Sequence, residues 1–210
     1  MLLAVCVVLL LGFHLSEATK GIDVSQLVYP SDFKCLKEAG YDFVIVRAFL
    51  SLGEPDENAI HTIANAREAG FRYIDVYMFP CPKCLKSASE QVDVMVNALS
   101  GESYGQIWLD IEGSIYWHSS AEDNQKFFED LLSAASRHKS TGVYASEYQW
   151  SSIMGSSYTG GSSHQLWYAH YDDDPSFSDF SPFGGWRRPS IKQYAGDRSQ
   201  CGVGVDLNYY

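Results

Sequence analysis

The heptapeptide Gln106-Ile107-Trp108-Leu109-Asp110-Ile111-Glu112 alternates two kinds of side chain, and that alternation selects an architecture. Successive residues of a strand point to opposite faces, so Trp108, Asp110 and Glu112 share one face while Ile107, Leu109 and Ile111 share the other. An apolar trio of this kind belongs against a layer of helices. The two acids then point to the inside of a closed sheet, at the end where the strand finishes. Residues two apart in a strand have Cα atoms about 6.6 Å apart, close enough for their carboxyl groups to serve one small site.

Segments of the same character recur on both sides of it. Strands are expected over 20–26, 41–50, 71–79, 141–146, 165–171, 191–195 and 203–210, most of them rich in branched and aromatic residues. Helices are expected over 32–39, 57–69, 87–99, 121–138 and, shorter, 147–153. Ser31 or Asp32 is a candidate cap for the first helix. Three helices run into a glycine just before the next strand, at Gly40, Gly70 and Gly101, the signal of a helix returning to a parallel sheet. Eight strands fit closure better than an open sheet. The fold class is therefore α/β, a modified (β/α) TIM-like barrel with shortened later helices, because the chain is short of the ~250 residues that such barrels usually need. No glycine-rich dinucleotide or phosphate loop is present.

Of the 210 residues, 46% are hydrophobic and 20% charged, which is a globular composition. With 15 Lys and Arg against 26 Asp and Glu, the formal charge is −11. A surplus of acid disfavours nucleic acid and anionic membranes as partners. The uncharged apolar run from Met1 to Phe13, followed by Ser16-Glu17-Ala18, reads as a signal peptide over 1–18, with one domain from 19 to 210. About 13 apolar residues are too few to span a bilayer. The expected product is secreted (extracellular, gut-lumen or phagosomal), monomeric and without a membrane anchor. Cys35, Cys81, Cys84 and Cys201 then suggest two disulfides, with three pairings open. Cys81-Pro82-Lys83-Cys84 has redox-motif spacing, but a structural bond suits a secreted chain better.

Acids recur at the strand ends. Asp23 closes the first strand, Asp75 lies in the third, and Asp206 lies in the last, which neighbours the first in a closed barrel. One mouth is thus expected to gather Asp23, Asp110, Glu112 and Asp206. Crowded carboxyl groups among aromatic rings repel each other's charge, so one stays protonated and can act as a general acid. Glycoside hydrolysis needs such a set. The competing reading is structural, since strand-terminal acids also cap backbone or pair with arginine, and Arg47 and Arg72 are available. Tyr77, Phe79, Tyr116, Trp117, Tyr144, Trp150, Tyr168 and Tyr171 are candidate aromatic walls for a sugar. His118, beside Trp117, is within reach of the same groove. The histidines lack ligand spacing, and Asp172-Asp173-Asp174 lacks the glycine and distal Glu of a calcium loop, so it reads as a solvated turn. Neither a cofactor nor a metal is expected.

The segments GIDVSQ (21–26), FVIVRA (43–48), WLDIE (108–112), GVYAS (142–146), LWYAHY (166–171), IKQYA (191–195) and GVGVDLNYY (202–210) together resemble the Chalaropsis-type lysozymes, glycoside hydrolase family 25. The resemblance spans the chain from about residue 20 to its end. The segment YMFPCPKCLKSASEQVD (77–93) resembles the secreted eukaryotic, nematode-like branch. What this implies is an N-acetylmuramidase acting on bacterial peptidoglycan, with Glu112 as proton donor and Asp110, Asp23 and Asp206 as the accompanying acids. Tyr77, Tyr144, Tyr168, Trp117 and Gln193 are the expected substrate contacts. Ile191 departs from the family, which often carries tryptophan two residues before this glutamine. The alternatives are a chitinase-like hexosaminidase, whose longer acidic motif is absent, and a silent carbohydrate-binding protein of the same fold.

Overall fold

Strands and helices alternate where their patterns require it. In the computed structural model, which describes residues 19–210, the order begins β1 (Lys20–Val24), α1 (Pro30–Glu38), β2 (Phe43–Leu50), β3 (Glu54–Pro55), α2 (Ala59–Glu68), β4 (Tyr73–Met78) and α3 (Ala88–Ala98). It continues with β5 (Ile107–Asp110), α4 (Ala121–Ser136), β6 (Thr141–Ala145), α5 (Glu147–Met154), β7 (Gln165–Ala169), β8 (Ile191–Gln200) and β9 (Val203–Tyr209). The leader expected over 1–18 lies outside the described residues. Helix α1 starts with Pro30 in its first turn, with no side-chain cap from Ser31 or Asp32. Helix α3 has a full capping box between Ser87 and Glu90. Gly40 and Gly70 sit at φ +93° and +92°, the left-handed turn that lets α1 and α2 double back into β2 and β4.

The sheet runs β1-β9-β8-β7-β6-β5-β4-β2-β3, and β1 also pairs with β2, which closes the barrel. β3 is only a short return on the end of β2. Neighbours from β1 through β2, β4, β5, β6 and β7 to β8 are parallel. The last strand differs from a regular barrel, for β9 is antiparallel to both β8 and β1. The cause is local. Only Cys201 and Gly202 separate β8 from β9, both at positive φ, and so short a connection can join only antiparallel strands. The later helices are reduced accordingly. No helix follows β7, and Phe177, Phe180, Phe183 and Trp186 of the connection pack against the barrel instead.

Two cores result from the alternation. Ile107, Leu109 and Ile111 join the layer between barrel and helices. Inside the barrel a separate layer is formed by Phe43, Ile45, Trp108, Tyr144, Trp167 and Ile191. The disulfides are Cys35–Cys201, which ties α1 to the β8–β9 turn, and Cys81–Cys84. No helix among the described residues is long and apolar enough to cross a membrane.

Candidate active site

Above the inner aromatic layer, every barrel strand except β2 contributes to one small cavity. Asp23 comes from β1, Tyr77 from β4, Asp110 from β5, Tyr144 from β6, Trp167 from β7, Gln193 from β8 and Asp206 from β9. Glu112 and Tyr171 reach it from the segments just past β5 and β7. It holds about 80 Å³ and shares Asp23, Tyr77 and Asp206 with a neighbouring groove of about 250 Å³. Closure by the reversed β9 puts Asp206 directly opposite Asp23 in register. The four acids expected at one mouth are therefore brought together.

Gln193 organises them. Its Oε1 accepts from the hydroxyls of Tyr144 (2.6 Å) and Tyr171 (2.7 Å). Its Nε2 must then face the acids, and it donates to Asp23 (2.8 Å) and Asp206 (3.2 Å). Asn208 is oriented in the same manner: Trp167 Nε1 donates to its Oδ1 at 2.7 Å, leaving Nδ2 to donate to Asp23 at 2.7 Å. Asp206 also accepts from the backbone N–H of Asp197 at 2.7 Å. Among the described residues no guanidinium pairs with the cluster. Arg47 turns away to pair with Asp56 at 2.9 Å, so the reading in which it satisfies these acids fails.

All four carboxyl groups bind their protons more tightly than ordinary acids do. Burial, then the charge of Asp206, lifts Asp23 to about 7, although the amides of Asn208 and Gln193 pull it down. Asp110 is pushed well above the usual range by burial and by Glu112, and its Oδ1 has no hydrogen-bond partner among the described residues. Glu112 is raised by burial and by Asp206, and Asp206 by burial and by the charge of Asp197, against the pull of the Asp197 N–H. Tyr77 and Tyr144 are held neutral by burial and by the acids around them.

Of the eight candidate wall residues only Tyr77, Tyr144 and Tyr171 line the cavity. Trp150 is buried in the outer core and donates to the Tyr158 carbonyl, and Phe79 and Tyr116 pack edge-on against each other. Tyr168 faces outward because it has the opposite strand parity to Trp167; it packs on Phe180 and donates to Asp179 at 2.9 Å. Trp117 is buried among helix residues, and its Nε1 donates to the carbonyl of Glu112 at 2.9 Å, so it shapes the loop and does not line the cavity. His118 contacts the Pro82 carbonyl at 3.1 Å and leaves the groove. Asp75 belongs to the other end of the barrel, where it accepts from Gln106 N and Trp108 Nε1. Trp167 and Asn208 were not singled out by sequence, yet both have a signal. Trp167 shares parity with Tyr171, and Asn208 shares it with Asp206.

Asp172-Asp173-Asp174 is not merely a solvated turn. The fold gathers His170, Asp172 and Asp179 at ligand distance from one another. The cation there is the chain's own: Lys192, buried, donates to Asp172 and to Asp179, each at 2.7 Å. Its ammonium, with His170 and Tyr168, draws Asp179 down to about 2 against the effect of burial. Asp173 pairs with Arg198.

A family profile described as "Lysozyme-like protein 1" matches residues 14–194. "Probable GH family 25 lysozyme 2" of Dictyostelium discoideum is 54% identical over 92% of each chain. "Lysozyme-like protein 5" of Caenorhabditis elegans is 38% identical over 96% of each chain. A family GH25 lysozyme structure from Aspergillus fumigatus superposes with a TM-score of 0.75 at 21% identity, covering 92% of this chain and 93% of that one, a likeness of fold.

Proposed function

The chain belongs to the glycoside hydrolase family 25 lysozymes, and from that premise we propose that it is an N-acetylmuramidase. It hydrolyses the β-1,4 bond between N-acetylmuramic acid and N-acetylglucosamine in bacterial peptidoglycan. The observation that carries this reading is the set Asp23, Asp110, Glu112 and Asp206 in one aromatic-walled cavity, each raised above its ordinary range. A glycosidase needs a carboxylic acid that stays protonated beside a carboxylate that faces an oxocarbenium-like centre.

Glu112 is the proton donor, less buried than Asp110 and just before the exposed turn at Ser114–Tyr116. It gives its proton to the leaving oxygen as the glycosidic bond breaks. Asp110 lies deeper, and its unpartnered Oδ1 is suited to accept the N–H of the substrate's N-acetyl group. That contact would orient the acetamide oxygen towards the anomeric carbon. Asp23 and Asp206 share the Gln193 amide, and their negative charge stabilises the positive centre as it develops. Tyr77, Tyr144 and Trp167 form the wall. The reaction calls for no cofactor.

The catalytic domain is read as 19–210 behind a leader at 1–18, secreted and acting outside the cell, in a gut lumen or in a phagosome. Two disulfides support an oxidising destination. A cavity completed by one chain supports action as a monomer. The segment at 77–93 supports a eukaryotic, nematode-like placement, while the relatives, 54% identical in Dictyostelium and 38% in the nematode, support only its eukaryotic part.

The test is release of reducing ends by the purified chain from peptidoglycan and, separately, from chitin. Activity confined to peptidoglycan is expected. Preference for chitin would make the protein a hexosaminidase of another kind, and binding without release would make it a carbohydrate-binding protein.

A further inference from the structure

A second, half-open cavity lies away from the catalytic mouth. It opens at the opposite end of the barrel, where the strands begin, and holds about 430 Å³. The layer that contains Trp108 and Ile191 separates the two chambers. From Phe43 and Trp108 at its floor, the cavity rises to Tyr73 and Tyr210, residues that are 65% and 53% exposed. Neither tyrosine hydroxyl has a partner among the described residues. Asp75 looks into it, its carboxylate fixed by Gln106 N at 2.8 Å and Trp108 Nε1 at 3.0 Å. Each of those oxygens retains a lone pair. Gly105 makes room for this arrangement, because a Cβ there would lie 2.5 Å from Asp75 Oδ1. Arg67 and Arg72 stand at the rim. Arg67 is held by the Ser103 carbonyl, whereas Arg72 makes no hydrogen bond or ion pair among the described residues.

We propose that this cavity is a second, non-catalytic binding site for an acidic amino-sugar glycan, the polymer named above as substrate. Exposed aromatic faces pack against the C–H faces of pyranose rings. Asp75 accepts from sugar hydroxyl or N-acetyl N–H groups. The unpaired Arg72 meets a carboxylate on the glycan or its peptide, a charge-assisted contact. On a chain of net charge −11 it offers a local cationic rim to an anionic wall. The two sites face opposite ways across a barrel about 16 Å tall, taking five residues per strand. The second site therefore holds a neighbouring glycan strand and keeps the enzyme on an insoluble wall between cuts.

The inference rests on the proposed substrate, and one experiment separates the two. The carrier is the secreted chain with Glu112→Gln, whose sedimentation with insoluble peptidoglycan sacculi is measured against added salt. Arg72→Ala with Tyr73→Ala, both at exposed positions, should weaken binding about tenfold, the loss of one charge-assisted contact. Ser103→Trp, which plugs the opening, should do the same. With Glu112 restored, these variants should release muropeptides more slowly from sacculi and cleave a soluble muropeptide tetrasaccharide at the unaltered rate. Unchanged sacculus binding in both variants overturns the second site, whatever the catalytic result. Weakened binding, from a chain that releases no muropeptide even with Glu112 present, upholds the glycan site and overturns the muramidase reading instead.

Discussion

At the scale of single residues, two amides decide how the acids behave. Asn208 has its orientation set by the indole of Trp167, so its Nδ2 always faces Asp23. Asn208→Leu removes a donor that holds the Asp23 proton affinity down and leaves an indole N–H unpaired. The ionisation that activates the site should move to higher pH, with turnover at the optimum falling about tenfold, the worth of one such hydrogen bond. A pH–rate profile with an unmoved acid limb would deny Asn208 this role. Stability carries the opposite mark of the same crowding. Asp23 ionises near 3.8 when unfolded and near 7 when folded, so stability is intact below pH 4 and declines as pH rises through 7. Asp23→Asn should therefore leave the melting temperature unchanged at pH 3.5 and raise it at pH 7.5, by roughly 2–4 °C for each kcal/mol relieved. Thermal scans at the two pH values check this, and equal shifts at both would refute it.

At the scale of elements, the strands were legible because alternation is a local signal. The heptapeptide ending at Glu112 places its acids correctly, and the same parity explains why Trp167, not Tyr168, reaches the cavity. Trp117 could not be placed by parity, because it lies in a turn whose path depends on its hydrogen bond to Glu112. The reversal of β9 was written in the two-residue gap between β8 and β9, although its meaning depends on knowing where both strands stop. The long connection after β7 was least legible, since no helix period marks it and its anchor is a distant lysine. Lys192 joins Asp172 to Asp179 and thereby fixes the start of the segment that carries Tyr171. Lys192→Met leaves two acids without their cation. A cost of about 2 kcal/mol is expected, below that of a fully buried pair because both acids keep some contact with water. That corresponds to a fall of roughly 4–8 °C in melting temperature, readable by calorimetry; no change would show the clip to be idle.

At the scale of the whole molecule, one covalent link spans almost the full chain. Cys35–Cys201 encloses a separation of 166 residues, whereas Cys81–Cys84 encloses only 3. Constraint of the unfolded state grows with the loop, so replacing Cys35 and Cys201 by serine should cost about 3–5 kcal/mol. Replacing Cys81 and Cys84 should cost far less by this route; denaturant unfolding of the two variants compares them, and equal losses would contradict the entropic account. The pairing itself was beyond sequence, because it depends on α1 lying beside the final hairpin. The excess of acid also acts at this scale. It sets a chain of charge −11 against an anionic wall at neutral pH, and the raised Glu112 keeps its proton longer than an ordinary glutamate. Both effects place the activity maximum on the acid side of pH 7. The central claim, that Glu112 protonates the leaving oxygen of a muramyl bond, is tested most directly by muropeptide release from purified peptidoglycan across pH 3–8, wild type beside Glu112→Gln. Release should peak below pH 7 and nearly vanish in the variant at every pH; undiminished release by Glu112→Gln would contradict the assignment.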